Sequence, residues 1–239
     1  IDVDLFNPET DPALVSPYTV ETLELKAKNK EELQQRFNLE VNPDIPLIGI
    51  ITRLDSQKGL DLITHILEEH LIYDRVQFFL LGSGEAKYEQ YFQWIRDKYP
   101  NQVGIYLGYN GELANLVYGA SDMFLMPSLY EPCGLSQLIS LRYGTVPIVR
   151  ETGGLNDTVH SYNEETIEGN GFSFTNYNAH DMLHTLRRAV NYYRQDKDVW
   201  RQLMVAGMTG DYSWENSAQR YVELYQSMMD QPLESIKAS

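Results

Sequence analysis

The chain has 239 residues, 43 % of them hydrophobic, and its 34 acidic and 19 basic side chains leave a net charge of −15. That length suffices for one large α/β domain or two small ones, and no run approaches the roughly 18 apolar residues that a membrane span requires. The acidic balance excludes nucleic acid as an expected partner, because a phosphate backbone selects basic surface; the single cysteine, Cys133, excludes an internal disulfide framework and makes a reducing cytoplasm the expected compartment.

Residues 1–45 are polar and punctuated by Pro8, Pro12, Pro17 and Pro43. The opening IDVDLFNPETD reads as the interior of a loop, so a fragment or processed piece is expected, with one helix around Asn29–Phe37. Apolar runs then recur at 47–52 (LIGIIT), 76–81 (VQFFLL), 103–107 (VGIYL), 122–126 (DMFLM) and 146–150 (VPIVR), separated by amphipathic stretches at about 59–70, 85–99, 112–120 and 135–143. Short continuous apolar strands alternating with helices predict a parallel sheet covered on both faces, a doubly wound Rossmann-like α/β architecture. A shorter strand at 171–174 (GFSF) is expected at one edge, followed by helices near 179–195, 197–207 and 214–229. In the last helix Trp214, Ala218, Tyr221, Leu224, Tyr225 and Met228 recur at helical spacing and make one apolar face. That face packs on this domain's own core or docks elsewhere.

In such sheets, ligands bind beyond the carboxyl ends of the strands. Arg53, Gly82-Ser83-Gly84, Gly108-Tyr109, Ser128 to Gly134 and Thr152-Gly153-Gly154 all follow strand-like runs, so the charged and glycine-rich loops converge on one edge. Arg53 and Lys58 bracket the turn after the first strand. Charged groups at a sheet edge are costly without an anion nearby, and an arginine fork beside a lysine point charge suits two adjacent phosphates. Glu131, in Tyr130-Glu131-Pro132-Cys133-Gly134-Leu135, offers a carboxylate to sugar hydroxyls, directly before backbone N–H groups that suit phosphate oxygens. It also has the position of a helix N-cap, although Ser128 and Tyr130 add hydroxyls that a cap does not need. The natural ligand of the combination is a sugar attached to a diphosphate.

The remaining motifs are less specific. Gly82-Ser83-Gly84 suits a phosphate turn, but Lys87 stands where a dinucleotide loop has its third glycine, and a plain strand-to-helix turn also wants small residues. Cys133 has no histidine near it in sequence to serve as a base, which favours a non-nucleophilic thiol lining the site. Tyr109 is placed to stack on a purine. His180 and His184 lack a third ligand nearby, and Asp2, Asp4 and Asn7 lack the glycine of a calcium loop, so no metal and no cofactor are expected.

Over nearly its whole length the chain resembles the C-terminal half of bacterial glycogen synthases and plant starch synthases. The resemblance is carried by the FNPETD start, ITRLDSQKGLDLI at 51–63, LGSGE at 81–85, GYN at 108–110, PSLYEPCGLSQLISLRYGTVPIVRETGGLNDTV at 127–159 and DYSWENSAQRYVELY at 211–225. It implies a GT-B architecture, two Rossmann-like domains facing a cleft, and retaining transfer of glucose from ADP-glucose to the non-reducing end of an α-1,4-glucan. By resemblance, Arg53 and Lys58 neutralise the donor diphosphate, Glu131 holds glucose hydroxyls, and Gly134 and Leu135 give N–H groups to the distal phosphate and sugar. Tyr109 stacks near adenine, while Thr152 and Gly153 line the phosphate region. The implied division is an interdomain extension at 1–45, a donor-binding domain at 46–210, and a C-terminal helix at 211–239 that crosses to an N-terminal domain outside this chain. The acceptor surface belongs to that domain, so the isolated chain is expected to bind ADP weakly and not to elongate glucan. Many related transferases carry a second acid eight residues after the first; Ile139 stands there, which favours the ADP-glucose branch over UDP-sugar enzymes. A UDP-sugar transferase, a non-catalytic nucleotide-binding module and, remotely, a pyridoxal-dependent phosphorylase remain as alternatives.

Overall fold

The computed structural model describes residues 1–229. Its centre is a six-stranded sheet, with every neighbouring pair parallel, built from β1 (Leu47–Ile51), β2 (Gln77–Gly82), β3 (Val103–Leu107), β4 (Met123–Met126), β5 (Val146–Arg150) and β6 (Phe172–Phe174) in the order β3-β2-β1-β4-β5-β6. The chain winds outward from β1 to β3, then returns to place β4 on the other side of β1. The crevice between β1 and β4 is therefore the topological switch point.

The strands read as unbroken apolar runs because both faces are covered. On β1 and β2, alternation sends Ile48, Ile50, Phe78 and Leu80 into one core, and Leu47, Phe79 and Leu81 into the other. The first core is closed by α2 (Leu60–Tyr73), α3 (Ala86–Lys98), α7 (Ala179–Gln195) and α8 (Lys197–Thr209), through residues such as Ile63, Phe92, Met182 and Trp200. The second is closed by α1 (Lys26–Arg36), α4 (Gly111–Ala120), α5 (Ser136–Arg142) and the segment before α1, through Leu33, Val117, Ile139, Leu14 and Tyr18. Helix starts are set by short polar caps. Asn110 accepts from the Leu113 N–H, Asn178 from His180 and Asp181, and Asp196 from Val199. A further helix, α6 (Gly153–Thr158), forms where the glycine-rich turn after β5 was expected to be loop.

Residues 18–45 are stitched to the amino edge of the sheet, opposite the switch point. Tyr18 donates its hydroxyl to the Tyr143 carbonyl at 2.7 Å. Lys26 is only 5 % exposed, and its Nζ donates to the carbonyls of Tyr118 and Gly119 and to Thr145 Oγ1 at 3.1, 2.8 and 2.7 Å. Burial pulls the Lys26 ammonium down to about 7, against the pull of Asp122. Lys30 pairs with Asp122 at 2.7 Å, and Asp122 also accepts from the Leu47 N–H. A cavity of about 150 Å³ opens beside these lysines, but both ammonium groups are fully engaged within the protein.

The last described helix, α9 (Trp214–Met229), buries none of its residues, and Trp214, Tyr221, Leu224, Tyr225 and Met228 face outward. Its apolar face therefore does not pack on this domain's core. The part of the expected tail after residue 229 lies outside the described residues.

Candidate active site at the switch point

The turn after β1 and the turn after β4 meet across the crevice. Asp55 caps a short 3-10 turn, Ser56–Lys58, by accepting from the Gln57 N–H, and this aims Lys58 across at the β4 turn. There Lys58 Nζ donates to Glu131 Oε2 at 2.7 Å, and Ser128 Oγ donates to the same oxygen at 3.1 Å. The Lys58 and Glu131 side chains are 17 % and 13 % exposed. They line a small cleft of about 60 Å³ with Thr52, Ser128, Leu135 and Ser136. Its floor is the carboxyl end of β1 and β4, where the sequence reading places the ligand.

Glu131 is not a helix cap. Position N-cap of α5 belongs to Leu135, without a side-chain cap bond, and the Glu131 carboxylate points instead to Lys58 and Ser128. The backbone between them leaves donors free: the N–H groups of Gly134 and Leu135 have no partner among the described residues. On the far side of this turn a larger cavity, about 540 Å³, is lined by Cys133, Gly134, Leu135, His160 and Trp214.

The start of α6 supports the turn from below. Gly154 donates its N–H to the carbonyls of Glu131 and Pro132 at 3.2 and 3.0 Å. Gly153 sits at φ +47°, and a Cβ there would lie 2.2 Å from the Glu131 carbonyl oxygen. Only glycine fits this left-handed, close-packed position. Thr152 is the N-cap residue of α6.

The other expected residues fall in different surroundings. Arg53 is 72 % exposed, and its guanidinium reaches Asp55 at 3.3 Å rather than the Lys58–Glu131 pair. At Gly82-Ser83-Gly84 the Gly84 N–H goes to Glu89 at 2.9 Å, the Glu85 N–H to the Leu54 carbonyl at 2.7 Å, and the Ser83 carbonyl accepts from Leu54. A Cβ on Gly82 would stand 1.8 Å from the Thr52 carbonyl oxygen. These glycines lace the β1 and β2 turns together, and the Gly84 N–H is held by Glu89. Tyr109 is 91 % exposed; Tyr130 and Cys133 are also exposed. His180 packs edge-on against His65 at 5.5 Å, and no group of three or more His, Cys, Asp or Glu able to hold a metal occurs among the described residues. No helix among them is long and apolar enough to cross a membrane.

Two residues of the site were not singled out from the sequence. Gln57 Nε2 donates to the Tyr130 carbonyl at 3.0 Å while the Gln57 backbone carbonyl accepts from the Leu129 N–H at 2.8 Å. Arg150, the last residue of β5, donates through Nη1 to the Leu129 carbonyl at 2.8 Å. Its signal was available: like Arg53, it is a basic residue ending an apolar strand on the ligand-binding edge.

A parallel sheet in this order, with a lysine–carboxylate pair at its switch point, makes this a doubly wound, Rossmann-like domain with its candidate site at the crevice between β1 and β4. The sequence matches the family described as glycosyl transferases group 1 over residues 31–201, and the chain belongs to that family. Within it, the chain is 57 % identical over 230 residues to the glycogen synthase of Bacillus cereus (strain B4264), covering 96 % of this chain and 48 % of that protein. It is 54 % identical over 229 residues to the glycogen synthase of Geobacillus thermodenitrificans, covering 96 % of this chain and 47 % of that protein. The catalytic domain of starch synthase IV from Arabidopsis thaliana, solved bound to ADP and acarbose, superposes with a TM-score of 0.87 at 39 % identity, over 97 % of this chain and 48 % of that one. The chain thus spans about half the length of the curated relatives it matches, and its fold is that of one half of a GT-B glycosyltransferase.

Proposed function

We propose that this chain is the donor-binding half of a retaining glucosyltransferase that moves glucose from ADP-glucose to the non-reducing end of an α-1,4-glucan. The observation that carries the reading is the Lys58–Glu131 pair, 2.7 Å apart and largely buried at the switch point. One cation and one carboxylate side by side match the two ends of a sugar diphosphate. Lys58 faces the diphosphate, with Arg53 swinging in from solvent as its second cation. Glu131 accepts from glucose hydroxyls, with Ser128 beside it. The free N–H groups of Gly134 and Leu135 take oxygens of the distal phosphate.

In the reaction, the bond between the anomeric carbon and the diphosphate breaks, and negative charge grows on ADP as it leaves. Lys58 and Arg53 stabilise that charge as fixed cations, which lowers the barrier without a metal. Glu131 keeps the sugar oriented while the acceptor oxygen bonds to the anomeric carbon on the face that ADP leaves, its proton passing to the departing diphosphate. Tyr109, at the open rim, covers the adenine. The glycogen synthase relatives and the ADP bound to the starch synthase support adenine over uracil as the base.

We assign residues 46–210 to the donor-binding domain, residues 1–45 to an extension from the interdomain region, and 211–239 to a tail whose helix α9 crosses to the acceptor-binding domain. The outward apolar face of α9 supports that crossing. A cytoplasmic setting follows from the nucleotide-sugar substrate and is supported by the single cysteine. The test has two parts. Calorimetry on the chain should give ADP binding tighter than UDP binding. Joined to the N-terminal half of the Bacillus cereus enzyme, the chain should transfer labelled glucose from ADP-glucose to maltooligosaccharide, whereas alone it should not. Tighter UDP binding, or full transfer by the chain alone, overturns the assignment.

A further inference from the structure

We propose that Arg150 is a positioning residue for the donor site, fixing the turn that carries Ser128 and Glu131 without touching the ligand. The inference rests on the donor-site reading above and extends it to the neighbouring strand.

Residues 128–131 contain no helix or strand, yet their carbonyls are held at successive positions. Arg150 Nη1 donates to the Leu129 carbonyl at 2.8 Å and lies 3.4 Å from the Ser128 carbonyl. Gln57 holds the next carbonyl, that of Tyr130. The Arg150 side chain leaves the carboxyl end of β5 and reaches back over β4, so it ties the turn to the strand beside it. Its guanidinium stands 5.6 Å over the ring of Tyr177, a cation–π arrangement that fixes the plane of the fork. Tyr177 in turn donates its hydroxyl to Asp61 at 2.5 Å, in the first turn of α2 and three residues after Lys58. One side chain therefore braces the carboxylate turn directly and the lysine turn through Tyr177.

The arrangement is not that of a casual surface cation. Among the described residues, Arg150 has no carboxylate partner, and its Nε is buried without a hydrogen bond. An unpaired guanidinium N–H is unfavourable inside a protein, so the side chain is held by what its other nitrogen and its π-face do. Both of those contacts lead to the two turns of the site.

The chain and its Arg150→Ala and Arg150→Lys variants decide the matter by two readouts. The first needs no ligand: exchange of the Leu129 amide, which donates to the Gln57 backbone carbonyl at 2.8 Å, set against the melting temperature of the whole domain. Arg150→Ala should speed exchange at this turn about tenfold, the factor expected for roughly one charge-assisted hydrogen bond, while amides of β2 are unchanged. The second is calorimetry with ADP and ADP-glucose. Arg150→Ala should lower the preference for ADP-glucose over ADP about tenfold, with ADP affinity changed by less than about threefold, because the hexose contact depends on the turn and the diphosphate contact on Lys58. Lysine, which also donates to a carbonyl, should restore both readouts to within about threefold of wild type. Unchanged exchange at the turn overturns the proposal, as does an equal loss of ADP and ADP-glucose binding, which would mean that Arg150 meets the phosphates itself. If the wild-type chain binds neither nucleotide, the donor-site reading fails, and the exchange experiment still decides whether Arg150 fixes the turn.

Discussion

Replacing Glu131 by glutamine separates the two jobs of the Lys58–Glu131 pair. In the free protein the carboxylate sits 2.7 Å from Lys58 Nζ and both side chains are mostly buried. Removing its charge leaves a desolvated ammonium with only a neutral amide beside it, which costs about 1–3 kcal/mol of folding stability. For a domain of this size that is a fall in melting temperature of roughly 2–12 °C. Nucleotide binding moves the other way. A phosphate oxygen docked on the far side of Nζ would stand roughly 5.5 Å from the carboxylate, where two unit charges repel by about 3 kcal/mol at an effective dielectric of ~20. Salt and the intervening ammonium reduce this to about 1–2 kcal/mol, so Glu131→Gln should bind ADP roughly 5–30 times more tightly. ADP-glucose should lose its extra affinity, because an amide oxygen accepts sugar hydroxyls more weakly than a carboxylate does. Calorimetry with both ligands at low and moderate salt, beside a thermal melt, reads all three quantities. A variant that melts lower and binds ADP more weakly would refute the idea that Lys58 is shared between Glu131 and the diphosphate.

Three further outcomes test separate parts of the account. Gly153→Ala forces a Cβ to 2.2 Å from the Glu131 carbonyl at φ +47°, so denaturant unfolding should show a loss of at least about 2 kcal/mol together with weakened ADP-glucose binding; a loss of stability with binding intact would place the strain elsewhere. Lys26 titrates near pH 7 when folded, against about 10.4 unfolded. Between those values the unfolded chain holds more protons, so stability rises with pH, by about 2 kcal/mol from pH 7 to pH 9. Lys26→Met should lack that rise, and parallel urea-midpoint profiles for the two proteins would disprove it. Finally, the proposed donor site has Lys58 and Arg53 supply the charge that a divalent ion would otherwise bring, so a chelator should leave ADP affinity and the activity of the reconstituted enzyme within about twofold; abolition of either would require a metal.

The amino-acid sequence determined the strands and the longer helices, because each is set by local chemistry. Burial on both faces makes a strand apolar along its whole length, so the runs from 47 to 150 identify β1 to β5 to within a residue or so. Helical spacing of Trp214, Tyr221 and Tyr225 likewise announced the stripe that α9 leaves outward. The convergence of charged turns on one edge followed from chain direction alone. Tertiary structure decided which of those turns meet. The crossover that lays β4 against β1 brings Glu131 onto Lys58 across 73 residues of sequence, and no local periodicity encodes that contact. It also turned Arg53 outward to Asp55, engaged the Gly84 N–H with Glu89, and set Arg150 against the Leu129 carbonyl. Side-chain partners distant in sequence depend on strand order and register, which belong to the assembled sheet.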